Sequence, residues 1–337
     1  MERLKKNLIL ALGMGVVVYL VLAVASGFEN LRTALAAFDY PLVPAILGFV
    51  SLSYVVRYLR WSYYLRILKV SMPTKINVAI FAAGLSMTIS PGKLGEVLKS
   101  VFIRQVTGAP IARTAPAVVA ERATDGTGML LWGLIGALAF SFGLWGLLFF
   151  VALTAFAIAV LRSRRLSLLA ERALLRLPIL HRLAPHLGDF QGASNQLLAA
   201  RPLVVGTAIS FCSWGLEILG VYLCVLGMGV GTPFLMVVFI FVIGSIGGAL
   251  SMLPGGIGAA EAGMAGMFGT VAGLPGGISV ALTFVIRLAT LWFATLIGVV
   301  GLFVVRRVVG GEPADAAVAG TQTGAQAGAR DRKIPEA

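Results

Sequence analysis

Several charged side chains lie within or beside long apolar stretches of this 337-residue sequence. They are Lys93, Glu96, Lys99, Glu121, Arg122, Asp125, Glu217, Glu261 and Arg287. A charge at membrane depth is costly unless it is paired or faces a water-filled cavity. Guanidinium and ammonium groups bind phosphate, whereas carboxylates bind amines or relay protons. The pattern therefore predicts a polar path through a bilayer that can take a charged head group or a proton.

Two proline–glycine motifs interrupt the apolar stretches near some of these charges. Residues 91–96 read PGKLGE, and residues 254–258, which begin 163 positions later, read PGGIG, with Glu261 close behind. Pro-Gly ends a helix, and a helix that begins after the break offers free N–H groups and a positive dipole end to an anion. Broken helices at membrane depth occur where protein or water surrounds them. The residues expected to bind a phosphate or carboxylate at these breaks are Gly92, Lys93, Gly95, Gly255, Gly256 and Gly258.

The carboxylates near the breaks and on the next predicted span allow more than one interpretation. Glu121, Arg122 and Asp125 share one helical face, so they bind a zwitterionic head group, relay a proton, or simply neutralise one another. Glu96 and Glu261 are candidates for helix caps, for proton-coupling groups, or for contacts to an amine.

Arginine side chains away from the breaks are the other expected head-group contacts. Arg287 stands alone in a long apolar segment and is expected to face the cavity, where its planar fork suits phosphate. Residues 54–66 mix Tyr, Trp and Arg in the manner of an interfacial belt. In this belt Arg57, Arg60 and Trp61 either anchor the protein or form a loading point for anionic head groups.

The composition excludes an ordinary soluble protein. Hydrophobic residues make up 58% of the chain and charged residues 12%, with a mean hydropathy of +0.94. The net charge is +13, but Lys and Arg cluster just beyond apolar segments, which indicates membrane orientation rather than nucleic-acid binding. His181 and His186 lack the neighbours of a metal site, and no nucleotide-binding or hydrolase motif occurs. We expect an integral membrane protein without metal, cofactor or catalytic residues.

The apolar segments predict an all-α polytopic membrane protein with about six full spans. The predicted spans are residues 8–25, 41–59, 116–140, 144–161, 203–226 and 278–305. Two further pairs of segments, 76–90 with 94–106 and 234–253 with 257–272, are expected to be re-entrant helical hairpins. Residues 234–253 are also long enough to cross, and that alternative stays open.

The two hairpins suggest an inverted repeat within one transmembrane domain, residues 1–309. The repeat halves are about 41–141 and 203–305, joined by a basic, amphipathic cytoplasmic connector at 162–201. The placement of Lys and Arg predicts that both termini are cytoplasmic. Residues 310–337 are rich in Gly, Ala, Thr and Gln and are expected to form a disordered cytoplasmic tail.

Four ordered motifs resemble the lysylphosphatidylglycerol synthase transmembrane-region family. They are R-x-x-R-W at 57–61, S-P-G-K-L-G-E at 90–96, E-R-x-x-D at 121–125 and L-P-G-G-I-G-x-x-E at 253–261, and the resemblance spans roughly residues 5–308. This is the flippase-like domain of multiple peptide resistance factors and of many stand-alone bacterial and archaeal membrane proteins. The resemblance implies movement of aminoacylated phospholipid between leaflets in fused members, and stand-alone relatives are associated with polyprenyl-linked sugars or hopanoid pathways. We expect a stand-alone member without the synthase domain.

The expected function is translocation of an anionic or zwitterionic lipid, or a polyprenyl-phosphate-linked lipid, between leaflets of the bacterial cytoplasmic membrane. An ion gradient would drive this movement, or the protein would scramble the lipid passively. One alternative is a membrane-embedded transferase on polyprenyl-phosphate lipids, with Glu121 and Asp125 as base or metal ligands. The other is a non-transporting partner that holds a lipid-modifying synthase at the membrane. The expected partners are membrane lipids and no nucleic acid, with such a synthase or a second copy of the chain as further candidates.

Overall fold

Helices form every regular element in the part of the chain that the structure describes. This structure is a computed structural model, and it describes residues 2–90, 95–137, 148, 152 and 187–309. The helices are α1 (Glu2–Ser26), α2 (Phe28–Ala36), α3 (Val43–Ile67), α4 (Thr74–Leu85), α5 (Leu98–Thr107), α6 (Ile111–Ala137), α7 (Leu187–Leu197), α8 (Ala200–Gly227), α9 (Phe234–Leu250), α10 (Ala259–Thr270), α11 (Gly276–Arg287) and α12 (Phe293–Val309). Short 3₁₀ turns occupy Ser86–Ile89 and Pro254–Gly256, and a π-helical turn, Leu288–Trp292, joins α11 to α12.

Three of the described helices are long and apolar enough to cross a bilayer. They are Tyr40–Ile67, Ala200–Gly227 and Gly276–Val308, the last of which runs through α11, the π-helical turn and α12, and they contain the spans predicted at 41–59, 203–226 and 278–305. A fourth candidate is the pair Gly13–Ser26 and Phe28–Ala36, which bends by 100°. The chain is therefore a helical membrane protein, and the total of six spans stays a prediction. The predicted span at 144–161 lies outside the described residues, apart from two helical positions.

The described helices follow one another in the same order twice. The first half, α3–α6, has a long helix, a short apolar helix, a break, another short helix and a further long helix, and the second half, α8–α12, repeats this series. Proline immediately precedes the short apolar helix in both halves, at Pro73 and at Pro233. Proline fixes φ and has no N–H to leave unpaired at a helix start. The inversion of the halves and the re-entry of the hairpins stay predictions.

The halves pack by exchanging their short helices. α3 contacts α8, whereas α4 lies against α12 of the second half and α9 lies against α6 of the first. Glycine allows the close approach of α12 to α4, since a Cβ built at Gly301 would lie 2.6 Å from the backbone nitrogen of Ala83. Small residues at helix interfaces, where backbones touch, are typical of membrane bundles. α4 therefore packs mainly on the second half, whereas α9 packs both on α6 of the first half and on α10 of its own half.

The predicted connector and tail are described only in part. Residues 187–201 of the connector are described, and α7 there packs on α6 with Leu197 and Leu198 fully buried. This end of the connector therefore belongs to the helical bundle. The remainder of the connector, 162–186, and the predicted tail, 310–337, lie outside the described residues.

The two helix breaks meet at the centre of the molecule. In the first break, between Ile89 and α5, the hydroxyl of Ser90 accepts a hydrogen bond from the Gly95 N–H at 2.8 Å, which holds its two ends together. The second break covers residues 251–258, between α9 and α10. Ile89 from the first break and Ile257 from the second pack together with Leu291 of the π-helical turn. This packing places Ser90, at the start of the first break, near Gly255 and Gly256 of the second.

Candidate functional site

A cavity of about 380 Å³ lies between the two halves, beside both helix breaks. Ser90 lines it at the first break, and Gly255 and Gly256 line it at the second. Both glycines have positive φ values, 64° and 66°, and a Cβ at Gly256 would lie 2.9 Å from the backbone of Gly248. A side chain at Gly256 would therefore be strained and would displace α9.

The charged residues on the cavity wall are mostly cationic. Three arginines from three helices line it, namely Arg57 on α3, Arg122 on α6 and Arg287 at the end of α11, and two carboxylates accompany them, Asp125 and Glu217. The wall residues thus carry a formal charge of three minus two, or +1. With the ion-pair partners behind the wall included, five cations face five carboxylates, so the wall offers an anion guanidinium donors rather than an excess of positive charge.

The first half contains a connected group of buried ion pairs. Arg60 donates to Asp125 at 2.6 Å, and Arg122 contacts Asp125 at 2.9 Å and Glu96 at 3.3 Å. A second pair, Lys99 with Glu121 at 2.5 Å, adjoins this group, since Lys99 also lies 3.9 Å from Glu96 and Arg60 lies 3.9 Å from Glu121. Three cations therefore face three carboxylates. The side chain of Arg122 is the accessible member of the group, with 35% of its surface exposed.

The second half holds a simpler and more enclosed pair. Arg287 donates from Nε to Glu261 at 2.6 Å and from Nη2 to the carbonyl oxygen of Gly255 at 2.8 Å. Glu261 also accepts a hydrogen bond from the Gly258 N–H at 2.7 Å, so it caps α10 while it neutralises Arg287. These hydrogen bonds therefore fix Arg287, the second helix break and the start of α10 relative to one another.

Each half carries one glutamate–arginine pair with the same separation along the chain. Glu96 and Arg122 are 26 residues apart, and so are Glu261 and Arg287. In both halves the glutamate follows the break and the arginine lies on the next long helix. The neighbours differ, because a shift of 165 positions relates Lys99 to Met264. The pair is thus repeated, whereas the surrounding charges of the first half are not.

A further ion pair, between Arg57 and Glu217, joins the two halves at the cavity. Arg57 on α3 donates to Glu217 on α8 at 2.5 Å, and the Arg57 guanidinium carbon lies 4.5 Å from the centre of the Trp214 ring. Tyr54 also lines the cavity and donates its hydroxyl to the carbonyl oxygen of Thr290 in the π-helical turn, at 2.9 Å. π-Helical turns inside α-helices are frequent at functional sites.

Most of the predicted site residues come together here, with two corrections. Arg60 and Trp61 are 1% and 0% exposed, so the prediction that they meet head groups at the membrane surface is wrong. Arg60 instead neutralises Asp125, and Trp61 bonds Asn77 and lies 4.2 Å below the Lys99 ammonium. These buried contacts outweigh the interfacial position that the aromatic and basic pattern suggested. Gly92 and Lys93 lie outside the described residues.

Sequence reasoning did not place Tyr54 and Trp214 at the site. Each is three residues before a charged cavity residue, Tyr54 before Arg57 and Trp214 before Glu217. Residues three apart share a helical face, so this spacing was the available signal. Among the described residues, no three His, Cys, Asp or Glu side chains are arranged to hold a metal ion.

Comparison with known proteins identifies the family. The family described as the lysylphosphatidylglycerol synthase TM region matches residues 8–298. A UPF0104 membrane protein of Methanothermobacter thermautotrophicus is 27% identical over 89% of this chain and 93% of the relative, and another from that organism is 25% identical over 86% and 90%. A UPF0104 membrane protein of Pyrococcus horikoshii is 23% identical over 88% of this chain and 96% of its own. No solved structure was found to match. The chain therefore belongs to the lysylphosphatidylglycerol synthase transmembrane-region family.

Proposed function

We propose that this protein translocates a lipid with a phosphate-bearing head group between the leaflets of a membrane, through the cavity between its two halves. The observation that carries the proposal is the convergence of Arg57, Arg122 and Arg287, from three different helices, on one cavity where two helix breaks meet. Guanidinium groups bind phosphate oxygens through paired hydrogen bonds. Membership of this family supports a role connected with membrane lipids.

The size of the cavity suits a head group rather than a whole lipid. A volume of about 380 Å³ is near the lower end for small-molecule pockets. Met252 and Leu253 line the cavity, and 59% and 41% of their surfaces are exposed. In this proposal the head group enters past these two residues while the hydrocarbon chains stay in the bilayer.

The carboxylates next to the arginines allow the head group to leave again. Arg122 contacts Asp125 and Glu96, and Arg57 contacts Glu217, so a phosphate shares each arginine with a carboxylate instead of meeting a bare cation. Transport requires a site that binds well enough to load and weakly enough to release. Asp125 and Glu217 also face the cavity, and they would contact the amine of a zwitterionic lipid.

The same proposal includes orientation and mechanism class. Both termini are cytoplasmic in a bacterial cytoplasmic membrane, an orientation that the Lys and Arg residues beyond the apolar segments support. The chain acts as a transporter and not as an enzyme. An ion gradient or the lipid gradient alone supplies the driving force.

The test is a leaflet-exchange assay with purified full-length protein in proteoliposomes. Fluorescent phosphatidylglycerol is incorporated, and dithionite then bleaches the label in the accessible leaflet. Arg122→Gln should lower the initial exchange rate about 10-fold or more, because a hydrogen bond to a charged group contributes roughly 1.5–3 kcal/mol. Arg66→Gln is the matched control, since Arg66 is exposed near the end of α3 and does not line the cavity.

Three outcomes would contradict the proposal. If Arg122→Gln and Arg66→Gln both exchange lipid at the wild-type rate, the cavity arginine is not needed for transport. A chemically altered lipid after incubation with a candidate donor would instead favour the membrane-embedded transferase, and mass spectrometry of the recovered lipids would detect it. Loss of exchange only when the connector is changed would favour the docking partner.

A further inference from the structure

Three buried N–H donors on the cavity wall have no acceptor within hydrogen-bond distance in the described part of the chain. They are Nε of Arg57, Nε of Arg122 and Nε1 of Trp214, and all three residues line the cavity. Native proteins rarely leave a buried donor unpaired, because each one costs roughly 1–3 kcal/mol. Three such donors around one space indicate that an oxygen-rich group completes the site.

Each of the two arginines holds its ion pair through one terminal nitrogen, Nη2. Arg57 uses Nη2 for Glu217, and Arg122 uses Nη2 for both Asp125 and Glu96. These carboxylates fix the two guanidinium planes and leave their Nε edges to other acceptors. Trp214 lies directly beside Arg57, with its ring centre 4.5 Å from the guanidinium carbon. Trp214 and Arg57 are thus direct neighbours among the residues that line the cavity.

Arg287 is engaged differently from these two arginines. Its Nε and Nη2 both have partners, the Glu261 carboxylate and the Gly255 carbonyl oxygen, and only 10% of its side chain is exposed. Glu261 in turn accepts the Gly258 N–H at the start of α10. The free donors therefore lie on α3, α6 and α8, away from the enclosed pair of the second half.

We infer that the phosphate of the translocated head group binds at Arg57, Arg122 and Trp214, rather than at Arg287 or at the helix start after the second break. This assignment rests on the proposed function and adds to it a phosphate subsite with a neutral, directional donor, the Trp214 indole. An ammonium group presents only donors, and a single hydroxyl oxygen has two lone pairs, so neither can pair with all three N–H groups. A phosphate presents several acceptor oxygens, which pair with all three.

The test measures binding of short-chain lipids to full-length protein in a mild detergent. The probes are dioctanoyl phosphatidylglycerol and phosphate-free dioctanoylglycerol, with inorganic phosphate as a competitor. Trp214→Phe keeps an aromatic ring beside Arg57 and removes only the N–H donor. It should weaken binding of the phosphatidylglycerol about 10-fold or more, the effect of one hydrogen bond to a charged acceptor, without changing binding of dioctanoylglycerol.

Trp132→Phe is the matched control. Trp132 makes the same indole N–H donation, to the Phe211 carbonyl oxygen at 2.8 Å, but it does not line the cavity. Its substitution should leave the affinity for phosphatidylglycerol at the wild-type value. If Trp214→Phe does not elute as a folded protein, Arg57→Lys takes its place, because lysine keeps the charge for Glu217 and lacks the Nε donor.

The possible results distinguish failure of the phosphate subsite from failure of the proposed function. Wild-type affinity in Trp214→Phe, with a clear preference of the wild type for the phosphate lipid, overturns the subsite and leaves translocation standing. No preference of the wild type for phosphatidylglycerol over dioctanoylglycerol overturns both. Displacement of the lipid by inorganic phosphate at equal concentration supports the phosphate site but assigns it to the free ion instead of a lipid.

Discussion

Substitution of Arg60 by methionine should destabilise the protein by about 3 kcal/mol. Arg60 is 1% exposed and lies 2.6 Å from Asp125 and 3.9 Å from Glu121. Breaking a buried ion pair by removal of one partner typically costs 3–5 kcal/mol, because the other charge is left uncompensated. Here Asp125 keeps Arg122 at 2.9 Å and Glu121 keeps Lys99 at 2.5 Å. The remaining cations hold the loss near the lower end of that range.

The measurement is reversible unfolding in mixed micelles of a mild detergent with increasing SDS. Arg66→Met is the control, and it should lie within about 0.5 kcal/mol of the wild type because Arg66 is exposed. The double variant Arg60→Met/Asp125→Asn should be less destabilised than the two single changes added together, since it removes both charges of one pair. An Arg60→Met protein as stable as the Arg66→Met control would refute the role given to Arg60 as a buried counter-ion.

Two further substitutions test the packing around the cavity. Gly301→Ala should destabilise by about 1–3 kcal/mol, because the new methyl group would press on the backbone of Ala83, whereas Gly266→Ala should not, since no atom lies within 4 Å of its Cβ position. Thermal unfolding of the two variants compares them directly, and equal midpoints would contradict the close approach of α12 to α4. Tyr54→Phe removes the hydrogen bond to the Thr290 carbonyl oxygen and should cost about 1 kcal/mol in the same assay; a stability equal to that of the wild type would show that this bond contributes nothing.

The helix breaks were predictable because their cause is local. Proline and glycine act on the backbone within one turn, so residues 254–256 form a 3₁₀ turn between two helices, as the sequence led us to expect. The requirement that intramembrane charges be paired is equally general. It made Glu261 and Arg287 candidates before any geometry was known, and they are paired at 2.6 Å.

The partners of the charges were harder to predict, because they depend on which helices touch. Arg60 and Trp61 stand in a segment rich in tyrosine and arginine, which reads equally well as an interfacial belt. Contact of α3 with α6 and α8 buries them instead. No local pattern in α3 carries that information. Trp214 was missed for the same reason, since its role depends on its own unpaired indole N–H and on its contact with Arg57 of another helix.

The exchange of short helices between the halves has a consequence for how the chain is made. α4 is complete at residue 85, but α12, which covers it, ends at residue 309, a further 224 residues along the chain (309 minus 85). At roughly 5–20 residues per second, α4 waits on the order of 10–45 seconds for its apolar partner. Arg57 also waits, for Glu217 on α8, but the other ion pairs of the site do not. Arg60, Lys99 and Arg122 find their carboxylates within the first half, and Arg287 finds Glu261 within the second. During synthesis each half can therefore enter the bilayer with these charges already neutralised, while its apolar surfaces stay in lipid until the other half arrives.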